Sequence, residues 1–371
     1  MYNLERIYEI EGITFGVNIG EGFDRNKIHS ITEDFLYGIY TIAEDTIKPQ
    51  YEITIIKMND KDIDIHIKNI QQLTRVKYLG FHALISKYPN GQQRIVYFPD
   101  LMMLANYSIT TKKLLIQCYQ ENEWVNFYIG WMIRELLRTE LLCRGKIFIH
   151  SSGIELYDKA VLLCGKKGSG KTSSLMEMLD KGFNLIANDQ VIVASTGENF
   201  MVSCFPMFVG IGIGTLSRFP RFNQWLNDYS NLIIPQYKLV RHKREVDNSF
   251  SNEKKLLLVI RELLEKFPSS NFSKASMLKA IIKVEFDNGL DYAKIFEITR
   301  VEEKQKILEE NLKLENDDVF TDIFGIARCD RQQLKSIKQR LINKVKFYNL
   351  KQNLQCIGSY QKIIEVVKEM R

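Results

Sequence analysis

Two periodicities divide the chain. In its first part, apolar and polar positions alternate with period two over 51–56 and 62–65, which predicts half-buried strands. Tyr88-Pro89-Asn90-Gly91 is a turn signal between 81–87 and 94–98, the pattern of a hairpin. The period then lengthens: Phe127, Trp131, Leu136 and Leu137 recur at helical spacing over 124–142. Strands followed by a helix make residues 1–145 an α+β domain, with substrate recognition as the role open to it.

From about Arg144 the order changes. Short apolar runs over 146–150 and 160–164 predict strands. The stretch 171–181 predicts a helix with Leu175, Met178 and Leu179 on one face, and 183–187 and 190–194 are short β-rich runs. Strand, glycine loop, helix, strand is the order that a parallel phosphate-binding sheet requires. Residues 217–275 are polar with helical patches such as 256–264, and 237–251 reads as a mobile loop. Strands are predicted at 280–286 and 295–298 around the turn Asp287-Asn288-Gly289, and from Val301 onward the pattern is charged amphipathic helix. Residues 146–371 therefore read as an α/β domain with a helical C-terminal extension.

Composition excludes more than it selects. At 371 residues with 45% apolar positions, the chain is long enough for two domains, each with its own core. The net charge of +6, from 51 basic and 45 acidic residues, suits an enzyme handling a polyanion and gives no local basic patch of the kind nucleic acids need. Cysteines 118, 143, 164, 204, 329 and 356 are scattered, without the paired spacing of a zinc site or disulfide framework. Free thiols fit a reducing compartment. No apolar stretch approaches the ~20 residues of a membrane-spanning helix. The first residues, Met1-Tyr2-Asn3-Leu4-Glu5-Arg6, lack the pattern of a secretory signal, so a cytoplasmic location is expected.

The chemistry concentrates at Gly165-Lys166-Lys167-Gly168-Ser169-Gly170-Lys171-Thr172, a complete GxxxxGK[ST] motif. Gly165, Gly168 and Gly170 let the backbone curl so that successive N–H groups, Ser169 included, converge on one anion. The helix that starts near Lys171 and runs on through Ser173 adds its positive end. Lys171 reaches the outer phosphates and the Thr172 hydroxyl is a Mg²⁺ ligand. The competing reading is a chance glycine turn, but an apolar strand before and an amphipathic helix after are the context the motif needs.

Three features in order resemble the HPr kinase/phosphorylase family. They are His150-Ser151-Ser152-Gly153-Ile154-Glu155 ahead of the loop, the loop itself, and Lys181-Gly182-Phe183-Asn184-Leu185-Ile186-Ala187-Asn188-Asp189-Gln190-Val191 after it. The resemblance covers roughly 146–216, and it implies a P-loop kinase domain of the HPr kinase C-terminal type, with ATP and Mg²⁺ as cofactors. It implies that His150 lies beside the γ-phosphate or the acceptor hydroxyl, and that Asp189 joins Thr172 at the metal. Asn188 stands where the family has the Asp expected to accept the substrate proton, and an amide cannot act as a base. The segment Pro206–Leu216 lacks the family's Glu and Arg, which implies loss of the reverse, phosphorolytic reaction. It is similar to that of divergent relatives, among them kinases that phosphorylate a serine of a precursor peptide. An oligomer is also what the resemblance suggests.

Blander roles stand beside these. His150 also fits a satisfied core histidine, Asp189 a turn, Glu155 a solvent-facing acid, and the alternating Gly210, Gly212 and Gly214 a bulge or tight crossing. The basic run Lys238, Arg241, His242, Lys243, Arg244 is read first as solvated and second as an anion clamp. Trp124, Trp131 and Trp225 read as packing residues. The sequence thus points to an ATP-dependent kinase acting on a hydroxyl, a serine of a peptide or protein first, a small metabolite second. A non-catalytic ATP-binding module is the third reading, kept open by Asn188. No membrane or nucleic-acid partner is expected.

Overall fold

The computed structural model describes residues 6–44, 46–58, 73–78, 81–87, 92–205, 208–224, 255–313, 322–326, 330–353 and 359–369. The chain folds as two compact units, Met1–Arg144 with Glu315–Cys329, and Gly145–Leu314 with Asp330–Arg371.

The first unit holds β1 (Arg6–Ile10), β2 (Ile13–Ile19), α1 (Arg25–Phe35), β3 (Thr41–Ile42), β4 (Tyr51–Lys57), β5 (Leu73–Tyr78), β6 (Phe81–Lys87), β7 (Gln93–Phe98), β8 (Met103–Ser108), β9 (Lys113–Cys118) and α2 (Glu123–Cys143). The strands form one sheet in the order β3-β1-β2-β4-β9-β8-β7-β6-β5. The alternation at 51–56 is β4, whose Tyr51, Ile53 and Ile55 are buried. The 81–87 and 94–98 runs are the antiparallel pair β6 and β7; their turn at 88–91 and the 62–65 alternation lie outside the described residues. Asn122 caps α2 by accepting from the Val125 N–H at 3.0 Å. Trp131 packs edge-on against Phe35 of α1. The side chains of Trp124 and Trp225 lie outside the described residues.

Near the end of α2 the Glu140 carboxylate accepts from the Tyr51 hydroxyl at 2.6 Å, Lys112 Nζ at 3.2 Å and Arg144 Nε at 3.2 Å. Burial alone would raise its pKa; these partners outweigh it and hold the carboxyl down at about 2, below its ordinary 4.5. A carboxyl lowered by folding stabilises the fold above its ordinary pKa and loses that contribution as pH falls from 4.5 toward about 2. Acid unfolding followed by amide exchange in α2 should show this loss. In Glu140→Gln the acid limb should flatten, and an unchanged limb would remove Glu140 as its cause.

The second unit holds β10 (Ile147–His150), β11 (Ser152–Leu156), β12 (Lys159–Cys164), α3 (Lys171–Asp180), β13 (Asn184–Ala187), β14 (Gln190–Thr196), β15 (Asn199–Cys204), β16 (Val209–Gly212), α4 (Ile213–Leu216), β17 (Lys255–Leu258), α5 (Ile260–Glu265), β18 (Ala275–Phe286), β19 (Lys294–Glu297), α6 (Val301–Asn311), β20 (Leu312–Lys313), α7 (Arg331–Lys344), β21 (Lys346–Gln352) and α8 (Ser359–Glu369). The main sheet runs β13-β11-β12-β18-β15-β14-β10-β20, with β21 on β18 and β19 on β21. The chain is thus an α/β protein whose glycine loop links strand β12 to helix α3, preceded by the mixed α+β unit.

Two expectations change. The sheet is mixed, with only β12, β18 and β21 parallel to one another around the loop. β11 pairs with both β12 and β13 and so separates the strand at 183–187 from the loop strand. The reason is the tight turn at Tyr157 and Asp158, with φ of 54° and 59°, which folds β11 straight back onto β12. That turn lacks the glycine or asparagine that marks such turns in a sequence. The tail also departs from uniform helix. Residues 346–352 form β21, whose Phe347, Leu350 and Gln352 are buried between amphipathic helices in the sequence.

Candidate active site

Parallel pairing puts several strand ends on one edge. Cys164 of β12 pairs with Lys283 of β18, and Phe286 of β18 with Gln352 of β21. β11 runs the other way, pairing Ser152 with Leu163, so its start lies on that edge; β13 reaches it at Ala187, paired with Gly153. Across the edge lie, in order, the Asn188-Asp189 turn, the His150-Ser151-Ser152 crossover, the glycine loop, the end of β18 and the end of β21.

The glycine loop is built for an anion. Gly165 has φ +145°, and a Cβ there would lie 2.6 Å from the Val284 carbonyl, so no other residue fits. Gly170 has φ +96° and stands at the N-cap of α3 without a side-chain cap, leaving the first-turn N–H groups directed into the loop. Lys171 is buried, and its ammonium donates to the carbonyls of Gly165 at 2.6 Å and Lys166 at 3.2 Å. Lys166, Lys167 and Gly168 are exposed, and Thr172 is half-buried in the first turn of α3. The Ser169 hydroxyl is buried, and no hydrogen bond is made to it among the described residues.

The Ser173 and Ser174 hydroxyls tie α3 to its neighbours. Ser173 Oγ lies 3.0 Å from Thr215 Oγ1, and Gln352 Nε2 donates to Ser174 Oγ at 2.9 Å. Asn311 at the end of α6 anchors the loop from below, donating to the Ile307 carbonyl at 2.8 Å and accepting from the Gly165 N–H at 3.4 Å. None of Thr215, Asn311 and Gln352 carries a motif signal; only the fold brings them here. Cys164 ends the loop strand, and burial pushes its thiol up to about 12 against the opposing effect of Lys171, which leaves it an inert small hydrophobe.

The structure brings His150 and Asp189 together. Pairing of β10 with β14 sets His150 opposite Gln190, and the Ser151 N–H donates to the Asp189 carbonyl at 3.1 Å. Ser152 Oγ donates to the Asn188 carbonyl at 2.7 Å. The two side chains then meet, His150 Nδ1 to Asp189 Oδ1, at 3.2 Å, each about one-third exposed. The Asn188 side-chain oxygen is buried and accepts no hydrogen bond among the described residues. Glu155 is not part of this group: it accepts from the Asp158 N–H and from Asn184, both at 3.0 Å. Gly210 and Gly212 lie on β16, where a Cβ on Gly212 would meet nothing within 4 Å, so close packing is not the reason for that glycine. The basic run 238–244 lies outside the described residues. Among the described residues no three His, Cys, Asp or Glu side chains are grouped to hold a metal by themselves. No described helix is long and apolar enough to cross a membrane.

A strand, a curled glycine loop with a buried lysine, and a helix opening onto that loop are the parts of the P-loop pattern. The chain has relatives over this stretch. The chain is 35% identical over 54 residues to the HPr kinase/phosphorylase of Chlorobium phaeovibrioides, 15% of this chain and 16% of that protein. It is 31% identical over 72 residues to that of an Exiguobacterium species, 18% and 23% of the two chains, and 32% identical over 75 residues to that of Caldanaerobacter subterraneus, 18% and 25%. The match thus spans about a sixth to a quarter of those relatives' length. The HPr(Ser) kinase/phosphatase structure from Coxiella burnetii aligns with 60% of this chain and 95% of its own at 10% identity, with a TM-score of 0.27, too low to bear on the fold. No family model matches the chain. Over its loop and flanking residues the chain is similar to HPr kinase/phosphorylases.

Proposed function

We propose that the protein is an ATP-dependent kinase that moves the γ-phosphate to the hydroxyl of a serine in a peptide or protein. The observation that carries this is the His150–Asp189 pair at 3.2 Å, on the same sheet edge as the glycine loop. A phosphate loop alone binds anions; a paired histidine and carboxylate on its flank add a group able to take a hydroxyl proton. The curated relatives are named kinases and phosphorylases of HPr, itself a protein, and this favours a macromolecular acceptor.

In this reading Lys171 neutralises charge on the transferred phosphoryl group, and the N–H groups of Gly168, Gly170, Lys171 and Thr172 cradle the others. Oxygen donors at Thr172 and Asp189 suit Mg²⁺, which keeps waters and takes phosphate oxygens, so two protein ligands suffice; it would draw charge from the phosphates. Asp189 orients the His150 ring, and His150 receives the proton. Asn188 cannot take a proton, and its side-chain oxygen is buried. A loose transition state needs positioning more than a strong base, which tolerates an amide at this place.

The test is label transfer from γ-labelled ATP with Mg²⁺ to a serine-containing peptide library and, separately, to a small-metabolite pool. Label on peptide serine is expected, with Asp189→Asn and His150→Ala each lowering the rate about 10²-fold or more. Label confined to small molecules would transfer the assignment to a metabolite kinase. ATP binding without turnover on either pool would leave only a nucleotide-binding module.

A further inference from the structure

On the side of the loop away from His150 and Asp189 lies a cavity of about 490 Å³. One wall is the loop itself, Lys166 to Ser169, and the other is the end of β18 from Lys283 to Asp287. The size falls in the range of small-molecule sites. Phe286 is 39% exposed at its rim, an uncommon place for a large apolar ring at a strand end. Its ring lies against the loop, since a Cβ on Gly170 would be 3.1 Å from Phe286 Cζ.

We infer that this cavity receives the nucleoside end of the nucleotide, with the base stacked on Phe286. The inference rests on the reading that the loop holds the phosphates. The strand order then fixes direction. His150 leads through Ser151 into the start of β11, and Asp189 follows the end of β13, both on one flank of β12, while Phe286 ends β18 at the other flank. A triphosphate laid along the loop with its terminal phosphoryl toward His150 therefore points its other end at Phe286. The lining carries five lysines and three carboxylates, so hydrogen-bond acceptors stand among the cations. Its lysines are interleaved with carboxylates: Glu285 accepts from Lys283 Nζ at 2.5 Å, Asp287 faces Lys351 Nζ at 4.0 Å, and Glu310 lies on the same lining. Carboxylates placed this way accept hydrogen bonds from ribose hydroxyls and exocyclic amines. An aromatic face stacks on any base, so the site selects a nucleoside more strongly than it selects which one.

Calorimetry with two ligands tests this. MgATP and magnesium tripolyphosphate share the phosphate chain and differ in the nucleoside. In Phe286→Ala, MgATP affinity should fall about 10-fold or more while tripolyphosphate affinity stays within about twofold, and Phe286→Tyr should restore MgATP binding. Retained tripolyphosphate binding also shows that the variant is folded. Equal losses for both ligands, or none for MgATP, would overturn the assignment and leave Phe286 as a support for Gly170. If the wild type binds neither ligand, the phosphate-loop reading itself fails, and this inference with it.

Discussion

Lys171→Ala is expected to lower γ-phosphate transfer by at least about 10²–10³-fold, the scale seen when one preorganised donor is removed from a transition state. Two effects combine. The variant loses the charge that faces the transferring phosphoryl group in a site of low dielectric. It also loses a buried ammonium that now bonds the Gly165 and Lys166 carbonyls at 2.6 and 3.2 Å and so supports the curl of the loop. Lys171→Arg separates the two, because it keeps the charge but not the compact point geometry. It should also fall well below wild type, though less far than alanine. Turnover with either variant near that of the wild type would mean that the chemistry lies elsewhere.

The largest stability effect is expected in the first unit. In Glu135→Ala the first unit should lose roughly 3–5 kcal/mol, the cost of breaking a buried ion pair by removing one partner. Arg134, Glu135 and Arg138 are all buried on α2. Arg134 Nη1 lies 2.6 Å from Glu135 Oε1, Arg138 Nη1 lies 3.7 Å from Oε2, and the Arg134 guanidinium stacks 4.4 Å over the Trp131 ring. Burial raises the Glu135 pKa, and the two arginines oppose it without cancelling it. Alanine leaves two guanidiniums close together with less negative charge between them. Glu135→Gln, which keeps the shape and some hydrogen bonding, should cost less. Urea unfolding of the three proteins measures the difference, and a loss below about 1 kcal/mol for alanine would show that these charges find other compensation.

The loop and its neighbours were legible because backbone geometry and chemistry demand residue types there. Gly165 and Gly170 need positive φ, Lys171 must be cationic, and the apolar strand and amphipathic helix on either side have clear periods. His150 and Asp189 were legible as candidates only through resemblance; their contact depends on β10 pairing with β14, a long-range register that no local pattern encodes. The placement of β11 between β12 and β13 was hidden because the Tyr157-Asp158 turn takes left-handed conformations without the usual residues. β21 was hidden because its buried Phe347, Tyr348, Leu350 and Gln352 follow no strict period-two pattern and sit in a charged tail. Phe286 and Thr215 carry no sequence signal at all, and become interesting only when parallel pairing and the short helix α4 bring them to the loop.

Nucleotide phosphates are expected to seat in the loop from Gly165 to Thr172. Equilibrium titration of the wild type and Lys171→Ala with MgATP and with AMP tests it most directly. The wild type should bind MgATP far more tightly than AMP, and Lys171→Ala should remove most of that difference. AMP binding as tightly as MgATP, or MgATP affinity indifferent to Lys171, would contradict it.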